Sequence, residues 1–151
     1  MKKSTLLLST ALITSTSPLS WACSYDGQFN NPFSESYPGS LDIAIATQQA
    51  IRAQSIERPQ SLEGQKGLRR ASWWLNLMVG LYPELPSDTY IYLVDSKLWS
   101  KYQSDKKLSV HVDAPDAGAQ ILLISEAALH NLVIKKITFN TAIELGLIIQ
   151  S

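Results

Sequence analysis

Apolar residues recur at helical spacing along the first half of this 151-residue chain and at strand-like spacing along the second. In LDIAIATQQAIRAQ, Leu41, Ala44, Ile45, Gln48 and Ile51 fall along one side. The pattern predicts an amphipathic helix over 41–54, with Ser40 as N-cap and Asp42 at the positive end of its dipole. Residues 62–82, LEGQKGLRRASWWLNLMVGLY, carry the strongest helical pattern. Leu68, Ala71, Leu75, Met78 and Val79 form one stripe, which Trp74, Leu77 and Leu81 widen to nearly half the circumference. Neighbouring side chains on a helix are about 100° apart, so one of Trp73 and Trp74 is expected in the core and the other over a flank or the amino-terminal arm. Lys66, Arg69 and Arg70 take the solvent side, and Pro83 and Pro86 forbid the helix from continuing.

Beyond Pro86 the period shortens. TYIYLVD, KKLSVHVDAP and AQILLIS predict strands at 89–95, 107–113 and 119–124, with SKLWSKYQSDKK between the first two as a short helical turn and a polar connection. Ser125 caps a helix with Leu129, Leu132 and Val133 on its inner side and Lys135 and Lys136 at its negative end. Thr138 caps another, containing Phe139, Ala142, Ile143 and Leu145; Gly146 ends it and LIIQ at 147–150 closes as a strand. The expected fold class is α/β in the α+β sense. Two N-terminal helices precede strand-strand-strand-helix-helix-strand, a small mixed or antiparallel sheet with helices packed on it.

The first 22 residues break this alternation. Lys2 and Lys3, the apolar run Leu6 to Ile13, Pro18 and then Ser20-Trp21-Ala22 have the layout of a secretory signal cut between Ala22 and Cys23. The run is far shorter than the roughly 18 residues of a membrane span. Lipid attachment at Cys23 calls for Leu at −3 and a small residue at −2; Ser20 and Trp21 stand there, so ordinary cleavage fits better than a lipoprotein. The expected organisation is a signal peptide at 1–22, an extended arm at 23–39 pinned by Tyr25, Phe29, Phe33 and Tyr37, and a single domain at 40–151.

Removing 22 of the 151 residues leaves 129, enough for one domain to bury its own core. The signal holds two of the 13 basic residues and no acid, leaving 11 against 13 and a formal charge of −2. That balance excludes the basic stripe of a nucleic-acid binder and a polybasic hold on anionic lipid. The expectation is a periplasmic or secreted protein with no integral membrane anchor and no nucleic-acid partner, and with room for a protein partner in the envelope.

The stretch AQILLISEAALHNLVIKKITFNTAIELGLIIQ runs from an apolar strand through a serine-capped helix and a short helix with an inward alanine to a glycine and a last strand. With the strands before it, it resembles the second half of the sterol-carrier-protein-like fold over the last 30 to 60 residues. Ala22-Cys23, Tyr37-Pro38, Leu98-Trp99 and Val110-His111-Val112 together resemble an uncharacterised group of bacterial exported proteins. Members of that group carry glycine, an aromatic residue and histidine after the cysteine, where this chain has Ser24, Tyr25 and Asp26. The resemblance implies export and no particular activity.

No HExxH, GxSxG, glycine-rich phosphate loop or paired-cysteine metal spacing occurs, which removes the local arguments for catalysis without excluding a triad assembled across the fold; the expectation is a small soluble exported accessory or binding protein, non-catalytic and with no required cofactor. Cys23 carries the alternative. It is the only cysteine and cannot form an internal disulfide. Cleavage after Ala22 would leave its α-amine and thiol as a chelating pair for a soft metal ion, completed by His111 or His130. Cys23, His111 and His130 are thus the candidate metal ligands of a metal-binding or thiol-redox accessory protein. Regular alternation puts His111 opposite the core, and helical spacing puts His130 away from its helix's buried stripe. Trp99 is the candidate rim of a small apolar ligand site, against the plainer expectation that it plugs the core.

Overall fold

The computed structural model describes residues 23–27, 31 and 33–151; the expected signal, with Ala22, lies outside the described residues, as does Phe29 of the arm. Helices α1 (Ser40–Arg52) and α2 (Gly64–Leu81) occupy the two predicted helical stretches. Gly39, not Ser40, is the N-cap of α1. It holds φ 90°, and a Cβ there would meet Ile149 Cδ1 at 3.1 Å, so left-handed entry beside the sheet needs glycine. Ser40 begins the helix, and its Oγ accepts the Tyr37 N–H at 3.2 Å. In α2, Trp74, Leu75, Met78 and Val79 are buried, whereas Trp73 is 61% exposed and Leu81 39% exposed, so the apolar stripe is narrower than its sequence implies.

Strands β1 (Tyr90–Leu93), β2 (Leu98–Tyr102), β3 (Leu108–Val110), β4 (Ile121–Ile124) and β5 (Ile148–Gln150) form one sheet in the order β3-β2-β1-β4-β5. Only β1 and β4 run parallel; the other neighbours are antiparallel. Helices α3 (Glu126–Val133) and α4 (Phe139–Glu144) lie between β4 and β5. The α+β class is as expected, but four strands, not three, precede α3. The additional one is β2, where a helical turn was expected. It pairs with β1 in the register Tyr92↔Trp99, and Leu98, Trp99, Ser100 and Tyr102 are all buried, so burial on both faces hides the two-residue period.

One sheet face, with Ile91, Leu93, Leu98, Leu122 and Ile124, packs in the cluster that holds Leu75 and Met78 of α2 and Leu129 and Leu132 of α3. The other, with Tyr92, Trp99 and Leu123, is covered by Ile43 of α1 and by Tyr37 from the arm. The caps of α3 and α4 form as their sequences imply: Ser125 Oγ accepts Ala128 N–H and Thr138 Oγ1 accepts Thr141 N–H, each at 3.1 Å. Among the described residues, no helix is long and apolar enough to cross a membrane.

Candidate metal centre

The arm begins as a tight turn rather than an extended segment. Ser24–Asp26 is one turn of 3₁₀ helix, closed by Asp26 N–H on Cys23 O at 3.0 Å and Gly27 N–H on Ser24 O at 3.2 Å. A further bond, from Ser24 N–H to Ser96 O at 2.8 Å, fastens it to the β1–β2 connection.

Tyr25 supplies the anchor. Its ring enters a notch over Gly67 of α2, where an added Cβ would sit 2.5 Å from Tyr25 Cε1. Its hydroxyl donates to Glu126 at the start of α3. Glu126 also faces Arg70 at 3.6 Å, and the Arg70 guanidinium lies 4.4 Å from the centre of the Trp74 ring. Burial and the Glu126 charge hold the Tyr25 phenol well above the usual tyrosine range, so it stays a donor. With Tyr25 seated between α2 and α3, the residues around it in the turn, Cys23 and Asp26, present their side chains to the end of β3.

There they meet His111. The strand expected over 107–113 ends at Val110, and His111 takes a left-handed φ of 63°. Ser100 pairs with Val110, yet the next ladder bond runs from Val112 N–H to Trp99 O at 3.0 Å. His111 is therefore the extra residue of a β-bulge. A bulge re-aims one side chain, and here it swings the imidazole out of the sheet's alternation towards the turn. Holding a non-glycine residue at positive φ costs about 1 kcal/mol or more.

Three donor atoms converge. Cys23 Sγ lies 3.6 Å from His111 Nε2 and 3.5 Å from Asp26 Oδ2, and Nε2 lies 3.1 Å from that same Oδ2. Cys23 is 1% exposed, whereas the His111 and Asp26 side chains are 42% and 38% exposed, so the thiol forms the floor of the site and the other two its outer wall. Burial, and secondarily the negative charge of Asp26, push the Cys23 thiol above its usual value.

Two chemistries use such residues, and the geometry separates them. A nucleophilic triad needs the thiol on one imidazole nitrogen and the carboxylate on the other, whereas here both approach Nε2. It also needs a thiolate favoured by its surroundings, whereas here the neutral thiol is favoured. Donors of a tetrahedral zinc-type ion, with bonds of about 2.3 Å to sulfur and 2.0–2.2 Å to nitrogen and oxygen, stand roughly 3.6 Å (S–N), 3.6 Å (S–O) and 3.4 Å (N–O) apart. The observed 3.6, 3.5 and 3.1 Å form nearly that triangle.

His130 is not in this group. Its ring packs 4.9 Å from the Trp74 ring, and its Nδ1 is buried without a hydrogen-bond partner among the described residues. The expectation that it faces away from buried surface is thus corrected. Burial pushes its imidazole below the usual histidine value. Asp26, in contrast, joins Cys23 and His111 beyond the ligands expected from sequence, although its three-residue spacing from Cys23 suits two donors of one tight turn. Asp113 is not a member of the cluster either.

Trp99 is 2% exposed on β2, its ring 4.5 Å from that of Tyr92 and 5.3 Å from that of Tyr37. It is a core plug. An open groove of about 740 Å³, lined by Tyr82, Pro86, Gln120, Phe139 and Ile143 among others, does not reach it. No family model matches this chain, and no curated protein or solved structure is detectably similar to it.

Proposed function

We propose that this chain is a small exported metal-binding protein, non-catalytic, which holds one borderline-soft divalent ion of the zinc class through Cys23, His111 and Asp26. The convergence of three different donor atoms on one point, in nearly the triangle a tetrahedral ion requires, carries this reading. A sulfur, nitrogen and oxygen set suits zinc-class ions better than calcium or magnesium, which take oxygen alone. The ion would supply the positive charge that lets a buried thiol ionise. Export rests on the signal-like residues 1–22, whose expected end adjoins the first ligand.

The thiol-redox alternative is the weaker one. Exchange requires an accessible sulfur that reacts as thiolate, and Cys23 is 1% exposed with its neutral form favoured. Native mass spectrometry of the processed protein tests the proposal. One zinc ion per chain is expected for the wild type, and none for Cys23→Ser or His111→Ala at equal zinc. Zinc retained by both variants contradicts it.

A further inference from the structure

Cys23, His111 and Asp26 fill three corners of a tetrahedron, and structural zinc sites are closed by a fourth protein donor. Among the described residues, no fourth histidine, cysteine, aspartate or glutamate joins the group. The candidate for that corner is within Cys23 itself. Its nitrogen is joined to Sγ through Cα and Cβ, so nitrogen and sulfur close a five-membered ring on a single ion. While that nitrogen belongs to a peptide bond its lone pair is delocalised into the carbonyl, and it ligates no zinc-class ion. Hydrolysis of the Ala22–Cys23 bond changes this: water adds across the amide, Ala22 leaves as a carboxylate, and Cys23 retains a free amine, a strong ligand once deprotonated.

Resting on the metal-binding reading above, we infer that the fourth ligand is the α-amine of Cys23, so the centre is completed only by signal cleavage at this one bond. The carboxyl side of the residue is already fixed. Cys23 O accepts Asp26 N–H at 3.0 Å and Ser24 N–H holds Ser96 O at 2.8 Å, while Tyr25 is clamped between Gly67 and Glu126. The position of the amine is thereby tied to that of the thiol. Cleavage one residue earlier would leave an amide in place of the amine, and cleavage one residue later would remove the thiol. The uncut precursor has three donors and the processed chain four, so tight loading follows export.

The test compares the chain beginning at Cys23 with the same chain preceded by Ala22, each released from a fusion by a site-specific protease and shown by circular dichroism to be equally folded. Zinc affinity is read by competition with a chromophoric chelator. Removing a hydrogen-bond partner of a metal ligand costs 10- to 100-fold in affinity, so loss of a donor is expected to weaken zinc binding by about 100-fold or more. Affinities within threefold of each other overturn the inference and leave the three-donor site standing. Failure of both chains to bind zinc overturns the metal-binding reading as well.

Discussion

Replacing Gly67 with alanine tests how the centre is positioned. In an open helix, Gly→Ala stabilises by roughly 0.5–1 kcal/mol, because alanine has less backbone freedom to lose. At Gly67 the added Cβ would lie 2.5 Å from Leu62 O and 2.5 Å and 2.9 Å from two carbons of the Tyr25 ring, so the ring must leave its notch. Tyr25 is 7% exposed. Undocking it forfeits about 1.5–3 kcal/mol of aromatic burial and about 1.5–3 kcal/mol for its hydrogen bond to the charged Glu126. After the helix gain is subtracted, a net loss of about 2–5.5 kcal/mol is expected. Gly80, in the same helix, is the control, since a Cβ there meets nothing within 4 Å. Urea unfolding monitored by tryptophan fluorescence should show Gly67→Ala destabilised and Gly80→Ala neutral or stabilised by up to about 1 kcal/mol. Zinc affinity should fall at least tenfold in Gly67→Ala alone, because its turn no longer presents Cys23 and Asp26 to His111. A Gly67→Ala protein as stable as Gly80→Ala, with unchanged zinc affinity, would refute the anchoring role of Tyr25.

Two further substitutions separate stability from binding. Burial lifts the Asp95 carboxyl from 3.8 to about 6, with the nearby Glu126 charge adding to the rise and the hydrogen bond it accepts from Glu126 N–H opposing it. The folded state therefore favours protonated Asp95: its stability contribution is complete below pH 3.8 and is lost as pH rises through 6. The full shift corresponds to about 3 kcal/mol, which partial solvent contact reduces to roughly 1–2 kcal/mol. Asp95→Asn, which keeps an acceptor for Glu126, should stabilise the protein by that amount at pH 7 and by almost nothing at pH 4 in denaturation at the two pH values. Equal effects at both would contradict the burial argument. His111→Gly relieves a left-handed φ of 63°, so the metal-free protein should keep its stability to within about 1 kcal/mol while zinc uptake is lost. A metal-free variant destabilised by well over that amount would show His111 to be a structural residue.

The helices were legible because each buries one face, and the 3.6-residue period survives in Leu75, Met78 and Val79 of α2. β2 was not, since the arm side and the helix side of the sheet are both covered there and no polar face remains to mark the alternation. At the centre, Cys23 and His111 stood out by chemistry, but their meeting depends on two features without a local signature. One is the bulge at His111, which reverses the direction implied by regular alternation. The other is the notch at Gly67, which seats the turn. Asp26 has no such mark in the sequence, since its histidine partner lies 85 positions away. His130 shares only its residue type with the ligand at 111, and its contact with Trp74 is a packing feature between α2 and α3 that helical spacing on one element does not disclose.

Cobalt(II) titration of the chain beginning at Cys23 tests the central claim most directly, because the ion reports its own ligands. A single saturable site with a thiolate-to-cobalt charge-transfer band and the intense visible bands of a tetrahedral ion is predicted, both abolished in Cys23→Ser and strongly weakened in His111→Ala. A weak octahedral spectrum without the charge-transfer band, identical in wild type and variants, would contradict a metal centre at Cys23, Asp26 and His111.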